Sequence, residues 1–142
     1  MTRIVTLFAA AMLFAAPVRA DDLKDMAGTW GIEKAELGGK DITATLTGGT
    51  LTIAAGGKYT SVVGGQTDTG TFTVDEKKSP KAMDIKSETE GPLKGQTVQA
   101  IYELKDDTLT VVYDLDLKGR PAKFESPEGS NVLLVVYKRE KK

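Results

Sequence analysis

The segment Asp114-Leu115-Asp116-Leu117-Lys118-Gly119-Arg120-Pro121-Ala122-Lys123-Phe124-Glu125 places carboxylates at its positions 1, 3 and 12 and a glycine at 6, the spacing of an EF-hand calcium loop. Its position 5 is Lys118, which puts a repelling cation where an oxygen ligand belongs. Pro121 disturbs the exit and no flanking helices are predicted, so the segment reads as a long hairpin loop. Asp114 and Asp116 share one face of a strand and could be arranged as a catalytic carboxylate pair. That face also carries Thr110 and is expected to be wet, where carboxylates keep ordinary pKa values and make poor general acids. Lys77, Lys78 and Lys81 around Pro80 read as a solvated turn, with contact to a small anion or an acidic surface as the alternative. Gly64-Gly65 lacks the helix and the Lys-Ser/Thr that a phosphate loop needs. The chain has no His and no Cys. A Ser-His-Asp triad, a His-ligated zinc site, an imidazole switch and a disulfide framework are thereby excluded. We expect no catalytic residue, no metal site and no cofactor.

The remaining candidates are aromatic. Tyr59, Phe72, Tyr102 and Tyr113 fall on the presumed inner faces of strands, and each buried hydroxyl needs a partner. A cavity holding water or a ligand would supply one. The alternative is a filled core in which these rings pack with Leu51, Ile53, Met83, Ile85, Val98 and Val111. Small barrels do both.

The segments that must position these residues begin after a leader. Arg3 precedes an apolar run from Ile4 to Ala16 that is too short to span a bilayer comfortably. Val18-Arg19-Ala20 fits the small-residue cleavage pattern, so residues 1–20 read as a signal peptide cut after Ala20. Export to the periplasm or the exterior follows, with residues 21–142 as one domain and no membrane span in the mature chain. Of 142 residues, 122 then remain, enough for a single core. Loss of Arg3 and Arg19 leaves 17 basic against 20 acidic side chains, a net charge of −3. Weak acidity without a basic stripe makes nucleic acid an unsuitable partner.

Past Asp21 the chain is all-β in rhythm, with short runs rich in Thr, Val, Ile and Tyr separated by Gly, Pro, Asp or Lys clusters. Only Asp21 to Ala27 suggests a helical turn, with acidic residues at its start. Strands are expected near 28–36, 50–55, 58–63, 68–74, 82–89, 96–105, 108–115 and 131–139. Gly56-Gly57 marks a tight hairpin and Gly64-Gly65-Gln66 the next turn. Val98, Ala100, Tyr102 and Leu104 alternate against Thr97, Gln99 and Glu103, with Ile101 the exception. Leu109, Val111, Tyr113 and Leu115 form a second alternating set. Val132 to Tyr137 is apolar at every position, so that strand needs cover on both faces: the N-terminal turn or a loop, or else a partner at an oligomer edge.

Gly28-Thr29-Trp30 resembles the G-x-W signature on the first strand of lipocalin-like barrels, where the indole plugs the closed end beneath the cavity. The resemblance implies that a basic residue at the end of the last strand lies across the ring, and Arg139 is the matching position, with Lys138 the fallback. A guanidinium over an indole gains about 0.5–2 kcal/mol and joins first strand to last. From Ala27 to Glu140 the chain also resembles a lipocalin-like conserved-hypothetical domain family of small secreted bacterial proteins abundant in planctomycetes, which has no assigned activity. The matching pieces include Gly39-Lys40, Lys58-Tyr59-Thr60, Gly70-Thr71-Phe72, Lys78 to Ile85, Gly91-Pro92-Leu93-Lys94-Gly95, Ile101-Tyr102-Glu103-Leu104, Asp107-Thr108-Leu109 and Lys138-Arg139. The chain departs at Val111-Val112-Tyr113, where members often carry a Cys, and at Asp114 to Lys118, where a Pro-rich piece is usual. The family supplies no functional residue to transfer.

The expected fold is all-β: an eight-stranded up-and-down antiparallel barrel, lipocalin-like, with a short N-terminal helical turn. Its expected role is non-catalytic binding of a small, mostly apolar molecule in the open end, with Tyr59, Phe72, Tyr102 and Tyr113 lining the cavity. The alternative is an envelope interaction protein whose packed barrel meets a protein partner through loops or the last strand. Protein recovered from the exported fraction should begin at Asp21 on N-terminal sequencing. Retention of Met1 to Ala20 in that fraction would contradict the leader reading.

Overall fold

The structure, a computed structural model, describes residues 22–140. The proposed leader and its cleavage site lie outside those residues. Among the described residues no helix is long and apolar enough to cross a membrane. In chain order the elements are α1 (Asp22–Asp25), β1 (Gly28–Leu37), β2 (Lys40–Asp41), α2 (Thr43–Leu46), β3 (Thr50–Ala54), β4 (Lys58–Val63), β5 (Gln66–Asp75), β6 (Lys81–Ser87), β7 (Thr97–Lys105), β8 (Thr108–Asp114) and β9 (Val132–Arg139). Strands β3 to β9 pair in sequence, each antiparallel to the next, and β1 bonds to both β3 and β9. Eight strands therefore close into an antiparallel barrel, as the strand rhythm predicts, and β2 is a short addition on the end of β1. Closure removes the unpaired edges that an open sheet would expose.

Turn chemistry sets the register of the hairpins. Gly64 and Gly65 both have positive φ (59° and 82°) and join Val63 to Gln66 in two residues, the mirror-image turn that suits strand twist. The preceding hairpin is one residue longer than Gly56-Gly57 suggests. Ala54 pairs with Lys58, leaving Ala55 in the loop as well.

Strand β1 is shared between two neighbours, and this shapes both ends of the barrel. Gly28 to Gly31 pair with β3, whereas Trp30 to Leu37 pair with β9. A bulge between Ile32 and Lys34 shifts the register, so Trp30 and Ile32 face inward before it and the fully buried Ala35 faces inward after it. Beyond the bulge β3 no longer borders β1, and α2 fills the gap. Ala35 N–H donates to Thr43 Oγ1 at 3.0 Å and Ala35 C=O accepts from Ile42 N–H at 2.9 Å, satisfying the backbone groups that β3 leaves behind.

The closed end is built from α1 and the strand termini beside it. Trp30 is fully buried and its Nε1–H donates to Met26 O at 2.9 Å. The Arg139 guanidinium lies 4.3 Å from the Trp30 ring centroid. It also donates to Ala27 O, Asp25 O and the Asp107 carboxylate at 3.0, 2.8 and 3.1 Å. Asp22, buried at the start of α1, accepts from Lys81 Nζ at 2.8 Å and from Tyr102 Oη at 2.9 Å. Lys81 thus begins β6 and, though still partly exposed, is paired with Asp22. Its bond to Asp22 raises its pKa, the gain from the paired charge outweighing desolvation.

The outer face of the sheet explains the two irregular strands. Ala82, Ile101, Val112 and Leu134 are register neighbours across β6 to β9, all point outward, and all are buried. On this side the connection 115–131 is strapped to the sheet. Arg120 Nη1 donates to Met83 O and Ala100 O at 3.1 and 3.0 Å and sits 2.8 Å from Asp84 Oδ1, an oxygen held by charge rather than by an aligned hydrogen bond. Ser126 Oγ accepts from Gly39 N–H at 3.1 Å and donates to Val132 O at 2.7 Å. The strap is the loop cover that the all-apolar last strand requires.

Replacing Arg139 with Met, which keeps the stem but removes the fork, should lower stability by roughly 2–3 kcal/mol in urea unfolding. Arg139→Lys should recover only part of this loss, because an ammonium cannot span the ring, two carbonyls and a carboxylate together. An unchanged urea midpoint for Arg139→Met would show that the seam contributes no stability.

Candidate functional site

Above the closed end the barrel is not filled. A cavity of about 300 Å3 opens toward the end bounded by α2, the β4–β5 turn, the β6–β7 loop and the start of the strap. Its wall is mostly apolar, with Ile53, Phe72, Met83, Ile85, Val98, Val111 and Val135 inside and Leu46, Val63, Leu93 and Leu115 toward the mouth. A few polar groups interrupt this lining in two places. Such a composition, an apolar body with few placed polar atoms, is that of a small-molecule pocket.

The first polar place is a trio on β4, β5 and β6. Tyr59 Oη donates to Asp68 Oδ2 at 2.9 Å, and Ser87 Oγ donates to Asp68 Oδ1 at 2.5 Å. Thr89 N–H in turn donates to Ser87 Oγ at 3.2 Å. Gly70 makes the arrangement possible. It pairs with Tyr59 on one side and Ser87 on the other, and a Cβ at this position would stand 2.8 Å from Tyr59 Oη and 2.9 Å from its ring while colliding with Lys86 O. Burial, together with the bond to Asp68, pushes the Tyr59 pKa well above its ordinary value.

The second place joins β8 to β9, where the hydroxyls of Tyr113 and Tyr137 lie 2.7 Å apart. Desolvation raises both phenols: Tyr137 is pushed up to about 12 although its hydrogen bond with Tyr113 lowers it, and Tyr113 is raised well above its ordinary value by burial and by the neighbouring Tyr137. Both rings line the cavity.

Of the four aromatic residues expected in the lining, Tyr59, Phe72 and Tyr113 are there. Tyr102 requires correction. It points inward but lies at the closed end, fully buried, with its hydroxyl on Asp22 and its pKa raised by burial and that bond. Four lining polar residues went unnoticed in the chain: Ser61, Asp68, Ser87 and Tyr137. Parity with Phe72 on β5 carries the signal for Asp68, since both occupy the same face. Tyr137 offered none, because it sits in a run without alternation.

The loop with calcium-like spacing has a different job. Asp114 is buried rather than wet, and its carboxylate accepts from the backbone N–H groups of Asp116, Lys118 and Gly119 at 3.0, 2.8 and 2.7 Å. Asp116 accepts from Asn131 Nδ2 at 2.7 Å. The pair organises the start of the strap. Among the described residues no group of three or more potential ligands could hold a metal ion.

No family model matches the chain, and no curated protein matches it either. Among solved structures it is similar to a DUF4847 family protein from Bacteroides vulgatus, with a TM-score of 0.52 and 15% identity over 84% of this chain and 99% of that one. At that identity the likeness shows a shared fold.

Because the folded state holds the Tyr113 and Tyr137 protons more tightly than the unfolded chain does, their contribution is complete below about pH 10 and is lost as pH rises toward 12 and beyond. Urea unfolding across this window should show stability falling by roughly 2–3 kcal/mol from Tyr137 alone. A variant with Phe at both positions should show a shallower decline; an identical pH profile would contradict the account.

Proposed function

We propose that the protein is an exported, non-catalytic barrel that takes up a small, mostly apolar molecule through its open end. The observation that carries this reading is the cavity of about 300 Å3 with its apolar wall and few polar groups. Export is supported by the apolar run from Ile4 to Ala16 and the Val18-Arg19-Ala20 pattern. Against catalysis by the Asp114 and Asp116 pair stands the Asp114 carboxylate, which is engaged by three backbone amides of its own loop. A packed barrel that meets a protein partner through loops or its last strand is the weaker reading, because the interior holds a cavity. The outward apolar residues Ile101, Val112 and Leu134 are already buried on the strap side, and the large apolar side chains left exposed among the described residues are Val62, Leu117 and Phe124.

Native mass spectrometry of the protein purified from its own host should reveal a co-purifying small molecule. Ser61→Trp, which adds an indole to the half-buried cavity wall, should retain the β circular dichroism spectrum and lose that adduct. A parent protein that appears only as its bare mass would overturn the proposal.

A further inference from the structure

Resting on that small-molecule reading, we infer that the molecule held in the cavity is an apolar amine, with its hydrocarbon body inside the barrel and its protonated nitrogen on Asp68. Asp68 is the one charged side chain among the described residues that line the cavity. Its two oxygens each accept one hydrogen bond, from Tyr59 and from Ser87. An ionised carboxylate offers about four acceptor sites, so roughly two remain free. Among the described residues no lysine or arginine lies within ion-pair distance of it. Lys94, in the loop that follows Ser87, is engaged by Glu90.

A carboxylate beside apolar surface is costly without a compensating charge. An ammonium group supplies both the charge and several donors, and hydrogen bonds between ionised partners are about twice as strong as neutral ones. Glu88, next to Ser87, adds negative potential that reaches Tyr59. The position suits a molecule that enters tail first. Asp68 pairs with Ser61 two residues from the β4–β5 turn, near the mouth, while Leu109, Val111 and Val135 line the cavity from β8 and β9. An alkanoate would bring a second negative charge to Asp68, and an alkanol would bring a hydrogen bond without charge.

Isothermal titration of the mature chain with n-octylamine, 1-octanol and octanoate tests this ranking. Octylamine should bind roughly tenfold or more tightly than octanol, with octanoate weakest. Asp68→Asn, nearly isosteric and still able to accept from Tyr59, should abolish the advantage of the amine over octanol. Equal binding of amine and alcohol, tightest binding of octanoate, or an amine advantage that survives Asp68→Asn would overturn the inference while leaving the apolar-cavity reading in place. Failure of all three probes to bind would count against the cavity reading itself and remove the inference with it. The ranking in the parent protein requires no variant to fold.

Discussion

Arg139 ends the last strand and reaches the first in several ways at once. Its guanidinium covers the Trp30 ring, and its nitrogens bond to the carbonyls of Asp25 and Ala27 and to the Asp107 carboxylate. A planar cation with five donors is suited to this, because one face satisfies an aromatic ring while the edge satisfies oxygens. The contact brings together β9, the β7–β8 turn and the adjoining α1 and β1, three stretches distant in sequence. Once they are held, Trp30 and Met26 are sealed from water and Asp22 lies buried against Lys81 and Tyr102. Burying that carboxylate costs desolvation, which the paired lysine and the donating phenol offset.

The opposite end is left open by the same strand that closes this one. Up to the bulge β1 borders β3 on one side and β9 on the other; past it, the β3 side is served by Ile42 and Thr43 at Ala35 and then by the short β2. A helical turn satisfies those backbone groups without supplying another wall of inward side chains. Leu46 is its contribution to the cavity lining. The cavity thus opens on the side where a helical turn stands in place of a strand.

The legible part of the chain was the part governed by local rules. Paired glycines, alternation in Val98 to Leu104 and Leu109 to Leu115, and acidic residues ahead of a helical turn report strands and turns because each depends on neighbours in sequence. The G-x-W resemblance carried the seam, since it ties a residue type to a place in a barrel. Three features escaped for physical reasons. The bulge in β1 reverses inward parity, so alternation across Gly28 to Leu37 misplaces half the strand. The strap turns outward positions into buried ones, which made Ile101 look like an exception and Asp114 look wet. Tyr102 shares the inward face with the cavity residues but lies deeper along the barrel axis; the period of a strand reports the face and is blind to depth.

Asp68 separates what the fold requires from what the site requires. The base of the barrel buries its carboxylate, Asp22, opposite a lysine. The cavity wall holds Asp68 with two hydroxyls and no cation among the described residues. For stability alone, an apolar residue at 68 with Phe at 59 and Ala at 87 would fill the same wall without the desolvation cost of three polar groups. The chain instead keeps the trio and places Gly70 between its members, giving up a side chain so that Tyr59 can reach the carboxylate. Local rules of packing are thus broken together at one spot on the wall, as they are where a protein positions groups for something other than its own folding. The tyrosine and serine hold the carboxylate in place on the cavity wall.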